Sequence, residues 1–328
     1  MTRPSELSRT TSALNPAAPT ASVVICCWTA DRTDLLRRSV LEAAGQAHDG
    51  DEVLVVVDHN DALARAMSTW AATEVPPERA RRIRVIESTG ARGLSGARNT
   101  GVEHSGGDLI VFLDDDAVPR PGWLDGLRST FADPSVAGAG GGIAAVWTRG
   151  RPGWFPEELD WVVGCDYRGL PGDGAEIRNP IGANMALRRS ALRGLRFDTG
   201  LGRDGSRPAG AEETELAIRM RQADPSVRFV RRATACVDHH VTAERHRLGY
   251  LLRRCWHEGL SKGSMTSRVG AGDGLSAERG YLLSVPGACV RHIGAVRHRD
   301  LWGPGRAATL MAGTIATGVG YLRGRAVR

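Results

Sequence analysis

Three groups of acidic and histidine side chains in this 328-residue chain have the types and spacing to do chemistry. Asp114, Asp115 and Asp116 follow directly on the apolar run Leu-Ile-Val-Phe-Leu at 109–113. Such a run reads as a strand buried on both faces. Its acids then lie at the C-terminal end, where open α/β sheets hold ligands. Alternation along a strand puts Asp114 and Asp116 on one side and Asp115 on the other. Two carboxylates on one side repel unless a cation sits between them. Hard oxygen ligands suit Mg²⁺ or Mn²⁺, above all when the metal also carries phosphate oxygens. Glu212, Glu213 and Glu215 open a predicted helix at 212–222, where the helix dipole favours negative charge. Asp238, His239 and His240 stand at the end of a predicted strand over 228–237. Taken singly, each group has a plain alternative: a surface turn, a helix end or a solvated histidine pair.

The elements that must position these groups alternate. Predicted strands at 22–28, 52–57 and 84–87 are separated by predicted helices at 33–44 and 62–72, a βαβαβ pattern with right-handed crossovers and a parallel sheet. The second strand ends in Asp58. Gly90 to Gly101 (GARGLSGARNTG) is a glycine-rich loop running into a helix, whose backbone N–H groups can hold phosphate or a nucleotide edge. It has no Walker GK[ST]. After the acidic strand come a predicted helix over 119–131, a glycine-rich strand over 136–147, an irregular stretch over 148–174 holding Trp154 and Trp161, a turn, strand and helix over 179–192, and a mobile loop over 200–210. Helices are predicted at 246–264, 281–296 and 307–322. The last is apolar but shorter than the roughly 20 residues needed to span a bilayer, so it reads as a packing or membrane-surface element.

Hydrophobic residues at 41% and charged residues at 24% are ordinary for a globular chain with a full core. Net charge is +6, and from Arg291 onward seven arginines face a single acid, Asp300. A basic tail favours phosphates or an anionic membrane surface; nothing in the pattern supports nucleic-acid binding. The six cysteines form no CxxC pair and no zinc spacing, which points to a reducing cytoplasm. The first 20 residues, rich in Ser, Thr, Pro and Ala, read as a disordered lead-in without a signal peptide.

Seven segments together resemble the inverting, GT-A-fold glycosyltransferases of family 2. In order they are SVVIC, VLVVVDHND, GLSGARNTG, VFLDDDAVP, GANMALRRSAL, GAEETELAIRMR and CVDHHVTAERHR, covering about residues 22–247. The tail segment RCWHEGLSKG resembles one that follows this domain in actinobacterial-type members. The resemblance implies a Rossmann-like mixed α/β sheet flanked by helices over 21–242 and a basic helical extension over 243–328. It implies that Asp58 meets the nucleotide base and that Arg98 and Asn99 hold base or pyrophosphate. Asp114, with Asp115 beside it, would take ribose or metal. Asp116 and His239 (or the adjacent His240) would ligate Mg²⁺ or Mn²⁺. Gly182, Ala183 and Asn184 would line the sugar pocket, next to Glu212. Glu213 stands where the family places its catalytic carboxylate, usually an Asp; the extra methylene moves it by roughly 1.5 Å. Its helix N-terminus is expected to keep it ionised at neutral pH. The implied reaction moves a sugar from a nucleoside-diphosphate donor to a hydroxyl acceptor, lipid-linked or a glycan, in the cytoplasm or at the inner face of its membrane.

Two rivals are weighed against it. Asp114 to Val118 also fits the DxDx[TV] string of haloacid-dehalogenase-like phosphohydrolases, but that motif usually opens its fold and needs a following lysine, and the chain's one lysine is Lys262. The second rival is a non-catalytic nucleotide-sugar-binding module in which Glu213 is too displaced to act.

Overall fold

The structure, a computed structural model, describes residues 18–202, 210–270 and 276–326. Its frame is one mixed nine-stranded sheet. β1 (Ala21–Cys27), β2 (Glu52–Val57) and β3 (Ile83–Glu87) alternate with the helices α1 (Thr33–Gln46), α2 (Asp61–Thr73) and α3 (Pro77–Ala80). α4 (Leu94–His104) leads into β4 (Leu109–Asp114). Then come β5 (Ala117–Pro119), α5 (Trp123–Thr130), β6 (Val136–Trp147), β7 (Glu176–Ile177), β8 (Asn184–Arg188) and α6 (Arg189–Leu192). α7 (Glu212–Ala223) and β9 (Arg228–Val241) complete the sheet region, and α8 (Leu248–Val269), α9 (Ser276–Gly294) and α10 (Gly303–Ala326) follow. The strand order is β3-β2-β1-β4-β8-β6-β9-β5, with β7 pairing the first residues of β9. β3, β2, β1 and β4 are parallel; β8 runs antiparallel to both β4 and β6, and β6 runs parallel to β9.

β1, β2 and β4 carry buried Val, Ile, Leu and Phe on both faces because α1 and α2 cover one side and α4 and α7 the other. β9 is the long strand. Against β6 its register jumps from Gly141↔Arg232 to Gly142↔Cys236, so Ala233, Thr234 and Ala235 bulge out. Glycine in β6 makes room for this: a Cβ on Gly142 would lie 2.3 Å from the Ala233 carbonyl oxygen. The bulge turns the second half of β9 so that His239 pairs with Ala117 of β5 beside the acids.

Three expectations change here. Pro119, expected to open a helix, instead ends a short strand over 117–119, because β9 supplies it with a partner; α5 starts only at Trp123. β9 continues four residues past Val237, the same pairing carrying it on. Within the expected lead-in, Thr20 is tied down by its backbone N–H and hydroxyl, both donating to Asp108; residues 1–17 lie outside the described residues. So does the heart of the expected mobile loop, 203–209.

α8 and α10 cross almost backbone to backbone. A Cβ on Gly259 would lie 2.1 Å from the Thr317 carbonyl oxygen, and one on Gly320 2.3 Å from that of Trp256. With the spacings Gly259-x₃-Gly263 and Gly320-x₃-Gly324, small residues let the two helices approach. Among the described residues no helix is long and apolar enough to cross a membrane.

Candidate active site and metal centre

Asp114 ends β4, and the turn that follows brings Asp116 back to the same side. One oxygen or nitrogen from each of Asp114, Asp116 and His239 lie within 4.8 Å of one another. His239 Nε2 is 3.1 Å from Asp116 Oδ1 and 4.0 Å from Asp114 Oδ2. Asp116 and His239 are both buried, while Asp114 is partly open. Burial would lower the His239 imidazole, but the Asp116 charge and hydrogen bond override it and push the group up to about 10. Burial would likewise raise Asp116, but His239, Arg245 and Arg32 hold it well below the usual carboxylate range. A proton on His239 thus sits where buried Asp116, with half-buried Asp114 beyond it, calls for positive charge. Two carboxylates and one imidazole at this spacing are a fitting donor set for a divalent cation such as Mn²⁺.

Asp116 has partners that its own neighbourhood in the sequence does not announce. Arg32, just before α1, donates to its Oδ2 at 2.6 Å and reaches Asp115 Oδ2 at 3.0 Å. Arg245, after β9, donates to the same Asp116 oxygen at 3.2 Å. They come from 84 and 129 residues away, in a chain rich in arginine, so no local pattern marks them. Asp115 is buried beside the same Arg32; burial pushes it up to about 7 against the pull of that guanidinium.

A cavity of about 530 Å³ opens beside the cluster. Asp114, Arg98, Gly182 and Ala183 line it on the sheet side, as do Glu212 and Glu213 at the N-terminus of α7. α8, α9 and α10 form the opposite wall, where Tyr281, Leu282, Thr314 and Tyr321 stand beside charged side chains. Trp161 joins that wall and its indole N–H faces the Tyr281 hydroxyl at 3.5 Å. Charges of alternating sign continue across the α8 side. Arg254 donates to Glu258 at 2.9 Å, Lys262 lies between Glu258 and Glu278, and Arg178 donates to Glu278 at 2.6 Å. The i,i+4 spacing of Arg254, Glu258 and Lys262 was the available sequence signal for this ladder.

Several expected site residues have other work. Arg98 is buried; its fork donates to Glu212 Oε1 at 2.8 Å and to the Gly182 carbonyl at 3.1 Å, with Asp114 at 3.8 Å. It holds α7 and the 182 turn together at the edge of the cavity. Asn99 clasps the backbone of Phe197, donating to its carbonyl and accepting from its N–H, both at 2.9 Å, and does not line the cavity. Asn184 does not line it either. Its Oδ1 accepts from the Trp123 indole at 2.8 Å, and its Nδ2 donates to the carbonyls of Gly142 and Ala235 at 2.9 and 3.0 Å. The amide is spent on pinning the β9 bulge to β6. His240 alternates to the other face of β9 and stays outside the cluster. Asp58 accepts from the Gly93 N–H at 2.8 Å and lies 2.7 Å from His59 Nδ1, so it fixes the glycine loop at the end of β2.

Glu213 departs from expectation in its charge. Burial first, then the Glu212 carboxylate, push it up to about 8 despite Arg98. Arg98 takes the charge of Glu212, not that of Glu213, and the helix N-terminus does not make up the difference. Glu213 is a half-buried carboxyl facing the cavity with a proton affinity near physiological pH, the range that suits general acid–base work.

The sequence profile described as Glycosyl transferase family 2 matches residues 22–196. A glucosyl-dolichyl phosphate glucuronosyltransferase of Haloferax volcanii is 29% identical over 244 residues, 74% of this chain and 75% of that protein. The succinoglycan biosynthesis protein ExoM of Rhizobium meliloti is 29% identical over 228 residues, 66% of each. Among solved structures, a mannosyltransferase of Pyrobaculum calidifontis in complex with GDP-Man and Mn²⁺ superimposes with a TM-score of 0.59 at 19% identity, over 94% of this chain and 88% of that one. Its likeness establishes a GT-A fold for the sheet and its helices, and the family match with these relatives supports glycosyl transfer over the phosphohydrolase alternative. The chain belongs to glycosyl transferase family 2 and is a glycosyltransferase.

Proposed function

We propose that this glycosyltransferase moves a sugar from a nucleoside-diphosphate donor to an acceptor hydroxyl in a single inverting displacement, with Glu213 as general base. One observation carries the reading: Asp114 of the metal cluster and Glu213 line the same cavity from different elements. Asp114, Asp116 and His239 would hold Mg²⁺ or Mn²⁺, which when bound supplies Lewis-acid stabilisation of the leaving diphosphate. Glu213 takes the proton of the acceptor hydroxyl as its oxygen attacks the anomeric carbon. The bond to the diphosphate breaks on the opposite face, and the diphosphate leaves with the electron pair. Arg98 keeps Glu212 engaged, which leaves Glu213 free to turn toward the acceptor. Asp58 and the glycine loop it fixes would meet the nucleotide base.

Leu159, Trp161, Tyr167, Leu170 and Leu282 give the cavity apolar surface beside its charges, which favours an acceptor with an apolar part, lipid-linked rather than a free glycan. The Haloferax relative, by its name, acts on a dolichyl phosphate sugar. Six free cysteines agree with a reducing cytoplasm, and we place the enzyme there, at the membrane face.

Thermal shift against a panel of nucleotide sugars, with and without Mn²⁺, tests the reading. At least one donor should raise the melting temperature only with metal, and Asp116→Asn or His239→Ala should abolish the rise. No stabilisation by any donor with any divalent metal would overturn it.

A further inference from the structure

Most of the large apolar side chains that lie exposed among the described residues are gathered in one place. Of the thirteen exposed ones among the described residues, eleven fall between Leu282 and Leu322, on α9, α10 and the turn joining them. Their arrangement on α10 is regular. Pro304, Ala308, Met311, Ile315, Val319, Leu322 and Ala326 are all exposed, and at 3.6 residues per turn they fall within about 80° of one another. That outer face, over a helix of 24 residues, contains no polar side chain. On α9, Leu283, Pro286, Gly287, Val290 and Ile293 form a second exposed apolar stripe. Leu301 and Trp302, 81% and 56% exposed, stand at the turn between them. The opposite face of α10 is taken by the close glycine contact with α8, so the hairpin cannot roll this surface inward.

The charges around the stripe select its occupant. Exposed Arg297 and Arg299 precede the start of α10, and exposed Arg323 and Arg325 lie at its end. From Arg279 to Ala326 the only acid is Asp300, which is bound by Arg306. A second copy docked along α10 would bring arginines against arginines in either orientation, because both ends of the stripe are cationic. An anionic lipid surface meets both ends with opposite charge and takes the apolar face between them, with Trp302 at the headgroup level.

We infer that the α9–α10 hairpin is the membrane-docking surface of the enzyme, lying flat on an anionic bilayer. Leu282 and Gly318 belong both to the exposed face and to the cavity lining, so the docked cavity opens toward the lipid. This deepens the lipid-linked acceptor reading, since an acceptor with its tail in the bilayer reaches Glu213 without leaving it.

Vesicle flotation tests the inference independently of catalysis. The full chain is mixed with vesicles of phosphatidylcholine alone or with roughly a third phosphatidylglycerol. The protein should float with the anionic vesicles at low salt, and at least tenfold less with the neutral ones. Ile315→Glu/Val319→Glu, outside the cavity, should cut anionic-vesicle binding at least tenfold while leaving the circular dichroism spectrum and the donor-induced thermal shift unchanged. Arg297→Glu/Arg299→Glu should do the same with the apolar face intact. Failure of the wild type to float, or a dimer in light scattering that Ile315→Glu dissociates, would overturn the inference. Loss of the donor shift with flotation retained would overturn the catalytic reading alone.

Discussion

The charge state of Glu213 makes a prediction that does not depend on knowing the acceptor. A general base works only when ionised, and Glu213 is pushed up to about 8 in the metal-free protein. With that value, roughly one-tenth of the molecules carry the ionised base at pH 7 and roughly nine-tenths at pH 9. kcat/KM for transfer should therefore rise about tenfold over that interval and level off. Burial is the first cause of the shift and the Glu212 carboxylate the second, with Arg98 opposing both. Glu212→Gln removes the second cause and leaves Arg98 facing Glu213 alone, so the limb should move toward lower pH by about one unit, worth about 1.4 kcal/mol. The assay is release of nucleoside diphosphate across pH 5–10 at saturating metal. The same shift has a stability consequence of defined sign. A carboxyl held above its usual 4.5 stabilises the fold most below that value, and the contribution is lost as pH rises through about 8. Glu213→Gln should flatten this loss in urea titrations of the metal-free protein. A rate limb below pH 5.5 that Glu212→Gln does not move would refute the reasoning.

Two further predictions concern the frame and the metal. Asn184→Ala leaves the buried Trp123 indole and the carbonyls of Gly142 and Ala235 without their partner, and should cost about 3 kcal/mol in denaturant unfolding while leaving the cavity lining in place. His239 carries a proton until the cation replaces it, so Mn²⁺ binding near pH 7.5 should release about one proton per ion, read as buffer-dependent heat in calorimetry, and His239→Ala should remove that dependence.

Much of the fold was legible because it is written in local pattern. The apolar run before Asp114 read as a buried strand and is one, β6 appears with the bounds expected of it, and the three acids of α7 marked its first turn. What stayed hidden depends on tertiary partners. Ala117–Pro119 is a strand only because β9 lies beside it. Asn99 and Asn184 looked like ligand contacts in their motifs, yet each is consumed by backbone groups brought near by the fold. Arg32 and Arg245 reach Asp116 from distant segments. The fold thus brings the motif residues into one neighbourhood and gives Arg98, Asn99 and Asn184 partners within the chain that no motif announces. Glu213 shows the limit from the electrostatic side: position at a helix N-terminus argues for ionisation, but burial and Glu212 outweigh it.

The most direct test of the central claim is Glu213→Gln assayed with an active donor in parallel for binding and turnover. The glutamine keeps shape and hydrogen bonding but cannot accept the proton. Donor-dependent thermal stabilisation with Mn²⁺ should survive, while kcat falls by 10²-fold or more. Turnover within a few-fold of wild type would contradict the account and leave the cavity without its base.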